Sequence, residues 1–352
     1  MDICWRSKPV SAWPQLSTIT RALSPSALQP RQPCSLRSLV LALPGARFGG
    51  ALYVRLMTNR NCTLSGMALV ITLLATLTLA PTASAAKPQR FYVSLGDSYS
   101  VGFQPGIGST RHGFVDQVPG LAKSRGYNLK VVNFGCSGAS SEALMEQVGC
   151  YKKALGLGAT PYPKQTQLAA ATKFIKANRS KVALITVAAG GHDLLSCVSA
   201  ADTLGCVLAA AAAIKTNVTA TAKALRAAAG PKTKIVGTTY VDAVLGAWVK
   251  PGGDDGEKLA RLSVPAFRSL VNPALKKAYA SANSSFIDVT AATGAYGDLT
   301  VFENLAPYGL IPKPVAEMCR ISYYCDKGDI HPRTRGYRMI SKMVVAELPR
   351  RK

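Results

Sequence analysis

From residue 90 onward the chain alternates two apolar patterns. Short runs that are apolar almost throughout, and rich in β-branched residues, occur at Arg90–Leu95, Leu129–Phe134, Lys181–Ala188, Thr233–Tyr240 and Ser285–Val289. Runs of this length, bounded by Gly, Asn or Asp, predict strands buried on both faces. Between them lie helical patterns at Phe114–Arg125, Ser141–Gln147, Lys164–Asn178, Leu204–Ala229 and Ser263–Ala282. A last one, Arg335–Leu348, ends before Pro349, and Gly230-Pro231 terminates the alanine-rich fourth. The Gly-, Pro- and Asp-rich piece Lys250–Gly256 predicts a surface loop.

A β-α-β-α alternation predicts an α/β fold, a parallel sheet covered by helices on both faces. Ligands of such sheets bind beyond the carboxyl ends of the strands. Three unusual motifs fall there: Gly96-Asp97-Ser98, Gly135-Cys136-Ser137-Gly138 and Gly190-Gly191-His192-Asp193. Neither an internal repeat nor a second domain is evident.

The start of the chain changes how much of it enters this fold. Arg60, the apolar run Met67–Ala80 and the small-residue site Ala83-Ser84-Ala85 make residues 57–85 a secretory signal peptide, cleaved before Ala86. A run of fourteen residues falls short of the roughly 20 that a spanning helix needs. Residues 1–56 precede this signal and read as a mis-assigned start or a disordered extension. The single domain expected is therefore 86–352, long enough for a full α/β core. Six of the nine cysteines lie in it: Cys136, Cys150, Cys197, Cys206, Cys319 and Cys325. An even number in an exported chain predicts disulfides. Neighbour pairing is expected, because each close pair flanks a loop. No C-x-x-C or paired His spacing favours zinc.

Residues 86–352 hold 34 Lys and Arg against 17 Asp and Glu, an excess of 17. That field suits an anionic envelope surface. The basic residues are scattered, without aromatic interleaving, so nucleic acid is not an expected partner.

Ser98, at the carboxyl end of the first strand, is a candidate nucleophile, with a helix N-terminus expected to follow it and assist. A serine nucleophile needs a base. Of the three histidines, His331 fits best, since Asp329 lies two residues before it and in extended chain shares its side. That carboxylate would hold the imidazole tautomer. The Ser98 N–H, the Gly138 N–H and the His192 ring are candidate oxyanion donors. Asp97 and Asp193 read as loop organisers, His112 as a surface residue, and Tyr240 and Trp248 as core.

These blocks, in this order, resemble the SGNH or GDSL-type esterases and lipases, and among them the secreted actinobacterial members. Gly96-Asp97-Ser98-Tyr99-Ser100 matches the first block, and Asn133 with Ser137-Gly138 the second. Gly190-Gly191-His192-Asp193 matches the third and His331-Pro332 the last. The resemblance implies a flavodoxin-like three-layer sandwich with strand order 2-1-3-4-5. It also implies Ser98 as nucleophile, His331 as base, and Gly138 and residue 192 as oxyanion donors. The expected function is a secreted serine esterase or lipase, a monomer acting on small-molecule or lipid esters with no cofactor and no metal. A non-catalytic envelope- or glycan-binding protein on the same scaffold is the alternative. Two positions depart from the family pattern. His192 stands where Asn is usual, and Gly328 replaces the usual Asp three residues before His331. The group orienting His331 is thus Asp329, Asp326 or a backbone carbonyl, and the spacing favours Asp329.

Overall fold

The apolar runs assemble into one parallel sheet of five strands: β1 (Gln89–Gly96), β2 (Asn128–Asn133), β3 (Val182–Ala188), β4 (Lys234–Thr238) and β5 (Ser285–Ile287). Their order is β2-β1-β3-β4-β5, the order implied by the resemblance. The computed structural model describes residues 87–250 and 253–351. The segment expected to be a signal peptide, 57–85, and the residues before it lie outside that range.

Period-two alternation explains why both faces of β1 are covered. Tyr92 points into one core, with Leu184 and Val236 of the neighbouring strands. Val93 and Leu95 point into the other, with Ile185, Val187 and Ile235. Helices α1 (Phe114–Ala122) and α7 (Thr334–Ala346) close the first core through Phe114, Val118, Tyr337 and Ile340. Helices α2 (Gln167–Ala177), α3 (Thr203–Ala229) and α5 (Asn272–Ala280) close the second through Ile175, Ile214, Val218 and Tyr279. By length and composition α3 would also suit a membrane span. Its buried stripe, Ile214, Val218 and Leu225, packs on the sheet instead. The fold is thus an α/β/α sandwich.

Three expectations need correction. The Lys250–Gly256 loop ends early, because α4 (Asp254–Pro265) begins inside it. Asp254, Asp255 and Glu257 occupy its first turn, where carboxylates suit the helix dipole. The helix expected over Ser263–Ala282 is the second part of this longer run, which passes through a π-helical stretch, Ala266–Val271, into α5. The Ser141–Gln147 helix shrinks to one turn, Ala143–Glu146. A hairpin of β6 (Phe302–Leu305) and β7 (Gly309–Pro312) and helix α6 (Lys313–Ile321) fill the stretch between β5 and α7.

The six cysteines pair as neighbours, Cys136–Cys150, Cys197–Cys206 and Cys319–Cys325. The first two close loops beyond the carboxyl ends of β2 and β3.

Candidate active site

The carboxyl end of β1 is built to present Ser98. Gly96 ends the strand at φ +133°, and a Cβ there would overlap the Ala188 carbonyl oxygen, so only glycine fits. Gln167, at the start of α2, brackets it: Oε1 accepts from the Gly96 N–H at 2.6 Å and Nε2 donates to the Gly96 carbonyl at 3.1 Å. Next comes Asp97, fully buried, whose Oδ1 accepts from the Tyr99 N–H at 3.0 Å and Oδ2 from the Tyr240 hydroxyl at 2.6 Å. Burial pushes its carboxyl up to about 7, against the pull of those two bonds. The helix expected after Ser98 is absent. The chain runs through successive turns, closed by Ser100 N–H to Asp97 O and Phe103 N–H to Ser98 O, and the first helix begins only at Phe114. Bulky Tyr99 and Val101 are buried here and draw the backbone into the core, which a solvent-facing helix would not do. Ser98 therefore has no helix dipole behind it.

His331 lies on β9 (Asp329–Pro332), which pairs antiparallel with β8 (Ser322–Tyr323). Asp329 Oδ1 is 2.7 Å from His331 Nδ1 and also accepts from the His331 backbone N–H at 2.9 Å. One carboxylate oxygen thus fixes both the ring and the main chain. Asp326 is engaged elsewhere, accepting from Arg333 at 2.7 Å. With Nδ1–H donating to Asp329, the lone pair is on Nε2. Nε2 is buried and has no hydrogen-bond partner among the described residues. Burial lowers the imidazole pKa below its ordinary 6.5, with Asp329 opposing. Phe103 packs against the His331 ring, with centroids 4.4 Å apart.

Gly138 follows β2 at φ +85°, exposed, with open space where a Cβ would be. Neither its N–H nor that of Ser98 donates a hydrogen bond among the described residues. His192 follows Gly190, a left-handed residue at φ +115°, in the short helix Gly191–Leu195. Its side chain is exposed. Asp193 beside it accepts from the Ser141 N–H at 2.8 Å and the Ser141 hydroxyl at 2.6 Å. That clamp ties the turn after β3 to the loop after β2, the two segments that carry His192 and Gly138.

Ser98, Gly138, His192 and His331 line one cleft of about 190 Å³, whose apolar wall includes Leu194, Val244 and Phe267. No hydrogen bond joins Ser98 Oγ to His331 Nε2. Such bonds are often long in unliganded enzymes and tighten when substrate binds. Tyr240, expected to be core, is buried yet lines the cleft. Trp248 lies under the Arg261 guanidinium, 4.8 Å from its ring centre. His112 is exposed and away from the cleft. Gln167 is the residue the sequence reading misses. It is 71 positions from Gly96, and no local pattern marks it.

The chain has distant likenesses among solved structures. A lipase from a goat rumen metagenome is 18% identical over 74% of this chain and 99% of its own, with a TM-score of 0.46. A phospholipase A1 from Streptomyces albidoflavus is also 18% identical over 74% and 99%, at 0.42. An extracellular lipase from Streptomyces rimosus matches to the same extent at 0.40. Likenesses so remote carry no argument about function. No curated protein matches the sequence. A family model does: the GDSL-like lipase/acylhydrolase family matches residues 94–339, which take in the end of β1, the turns that follow it, and the β9 hairpin. The chain belongs to the GDSL-like lipase/acylhydrolase family and is a carboxylic-ester hydrolase.

Proposed function

We propose that the protein is a secreted serine esterase or lipase working through an acyl-enzyme, with Ser98 as nucleophile, His331 as general base and Asp329 as the group that orients it. One observation carries this reading. His331 Nε2 is buried and unpartnered on the cleft that Ser98 lines, while Nδ1 is held by Asp329 at 2.7 Å. A nitrogen kept dry and without a partner is ready to take a proton from a hydroxyl.

Ser98 Oγ attacks the ester carbonyl carbon as its proton passes to His331 Nε2. The charge then developing on the carbonyl oxygen falls to the Ser98 N–H, the Gly138 N–H and the His192 ring N–H. Collapse of the tetrahedral species breaks the bond to the alkoxy oxygen, which leaves with the proton from His331. Water repeats the sequence on the acyl-enzyme, and the acid leaves Ser98. Asp329 keeps its charge throughout and stabilises the imidazolium.

Hydrolysis of p-nitrophenyl acetate and trapping of Ser98 by a phosphonate ester test the assignment. Turnover that vanishes in Ser98→Ala, with the phosphonate found by mass spectrometry on Ser98, is the expected result. Equal and negligible rates for both proteins would instead favour the non-catalytic binding module.

Secretion rests on the signal pattern of residues 57–85 and on three disulfides, a usage suited to an oxidising compartment. The domain proposed is 86–352. Sequencing the N-terminus of exported protein checks it, and a mature chain starting at Ala86 is expected. The chain is proposed to act as a monomer on small or lipid esters, near an anionic envelope surface.

A further inference from the structure

The apolar wall of the cleft does not stop at the cleft. Leu194, Val198, Val244 and Phe267 also line a second cavity of about 70 Å³. That cavity continues between the Cys197–Cys206 loop, the first turns of α3 and the helix α4. Its remaining wall includes Val207 and Leu262, and the polar groups on it are hydroxyls and a disulfide sulfur, with no charge. The segments that bound it also expose leucines: Leu195, Leu204, Leu208 and Leu262 are each at least 40% exposed. Elsewhere on a soluble chain, such leucines are single and scattered. Here Leu262 lines the second cavity, Leu195 lines the cleft, and Leu204 and Leu208 adjoin Thr203 and Val207 of the cavity wall in sequence.

We propose that this second cavity is the acyl-tail subsite, and that the enzyme takes esters of fatty acids whose chains reach past Phe267 into it. The inference rests on the esterase reading of the cleft and names its substrate class. Phe267 belongs to both cavities and sits on the π-helical stretch Ala266–Val271, which joins α4 to α5. A widened helical turn re-aims the side chains it carries, and such turns recur at functional sites. The disulfide contributes Cys197 to the cavity wall and holds the loop against α3. A straight acyl chain leaving the acyl carbon at Ser98 meets the shared wall first, then the second cavity. Each methylene removed from water adds about fourfold to binding. A chain that ends in the cleft forfeits that gain.

Specificity constants for p-nitrophenyl acetate, butyrate, decanoate and laurate read this directly. The wild-type constant is expected to rise from acetate to decanoate by at least tenfold. Leu262→Trp and Val207→Trp each fill the cavity without touching the cleft. Each is expected to cut the decanoate-to-acetate ratio at least tenfold while leaving acetate turnover unchanged. Leu262 is half exposed, so its indole is readily accommodated should Val207→Trp fail to fold. A wild-type constant that does not rise beyond butyrate, or a ratio unmoved in a folded Leu262→Trp protein, overturns the proposal. Loss of acetate turnover in wild type would instead strike the esterase reading. Lauric acid binding by calorimetry to Ser98→Ala then decides the tail subsite alone: binding abolished by Leu262→Trp supports it, and no binding or equal binding refutes it.

Discussion

His331 and His192 line the same cleft, yet the chain treats the two rings in opposite ways. His331 is half-buried, pinned through Nδ1 and its own backbone N–H by a single oxygen of Asp329, and packed on Phe103. His192 is exposed and has no hydrogen-bond partner for its ring among the described residues. What is fixed around His192 is the backbone, through left-handed Gly190 and the Asp193–Ser141 clamp. In the proposed mechanism a base must deliver a lone pair along one direction, and an immobilised ring at His331 suits that role. A donor to an anion tolerates more freedom, and a ring in solvent pays no desolvation to wait there. The contrast predicts strict dependence on position 331 and leniency at position 192.

The comparison breaks or sharpens through graded losses. Ser98→Ala and His331→Ala should each lower kcat by about 10⁴–10⁶-fold, and the double variant should be no slower than either alone, since nucleophile and base act as a unit. Asp329→Asn should cost about 10³–10⁴-fold, because an amide can hold the ring in the wrong tautomer. A loss under tenfold there would mean that the backbone, not the carboxylate, orients His331. His192→Ala should cost about 10–10²-fold in kcat with KM little changed, and His192→Asn should restore most of it. No loss at all would leave the two amides as the whole oxyanion site and remove His192 from the chemistry.

The pH profile separates the rings further. In the proposed mechanism the base works only when neutral, so kcat/KM should climb with pH and level off above the pKa of His331. Burial lowers that pKa, placing the midpoint of the acid limb below the ordinary 6.5. A midpoint above 6.5 would show that Asp329 outweighs burial. In Asp329→Asn the limb should move lower still, since the charge that favours the imidazolium is gone.

A separate effect concerns stability. Asp97 and Asp242 are fully buried, and burial raises both carboxyls from 3.8 to about 7. A carboxyl whose folded pKa is raised stabilises the fold fully below its unfolded pKa, and that contribution is lost as pH climbs toward the folded pKa. The melting temperature should therefore fall from pH 4 to pH 7, with each group contributing up to about 4 kcal/mol over that window. Asp242 lies outside the cleft, so Asp242→Asn should flatten the fall without altering acetate turnover. A fall as steep as the wild type's would show that Asp242 is already ionised in the fold.

The place of Ser98 after β1 and the contact made by Gln167 mark where a position can be read from the sequence and where it cannot. Ser98 is legible because a strand, a glycine and a small polar residue are neighbours in sequence, and the chemistry at a strand end follows from sheet topology. The turns after Ser98 are not legible. Small polar residues cap helices and make turns equally well, and burial of Tyr99 and Val101 decides between them. Gln167 brackets Gly96 only because α2 begins over the end of β1. The hairpin over Phe302–Pro312 has too few residues per strand for periodicity to register.

The alternation of strand and helix, the parallel sheet and the four short blocks of candidate chemistry are local properties, set by side-chain periodicity and by residues adjacent in the chain. Spacing along the chain favoured Asp329 over Asp326, and tertiary packing supplied the contacts, turning one toward His331 and the other toward Arg333. It likewise put Phe267 between two cavities formed by segments some 70 residues apart. Hydrogen-bond partners and cavity walls depend on which distant segments meet, and a linear pattern does not encode those meetings one residue at a time.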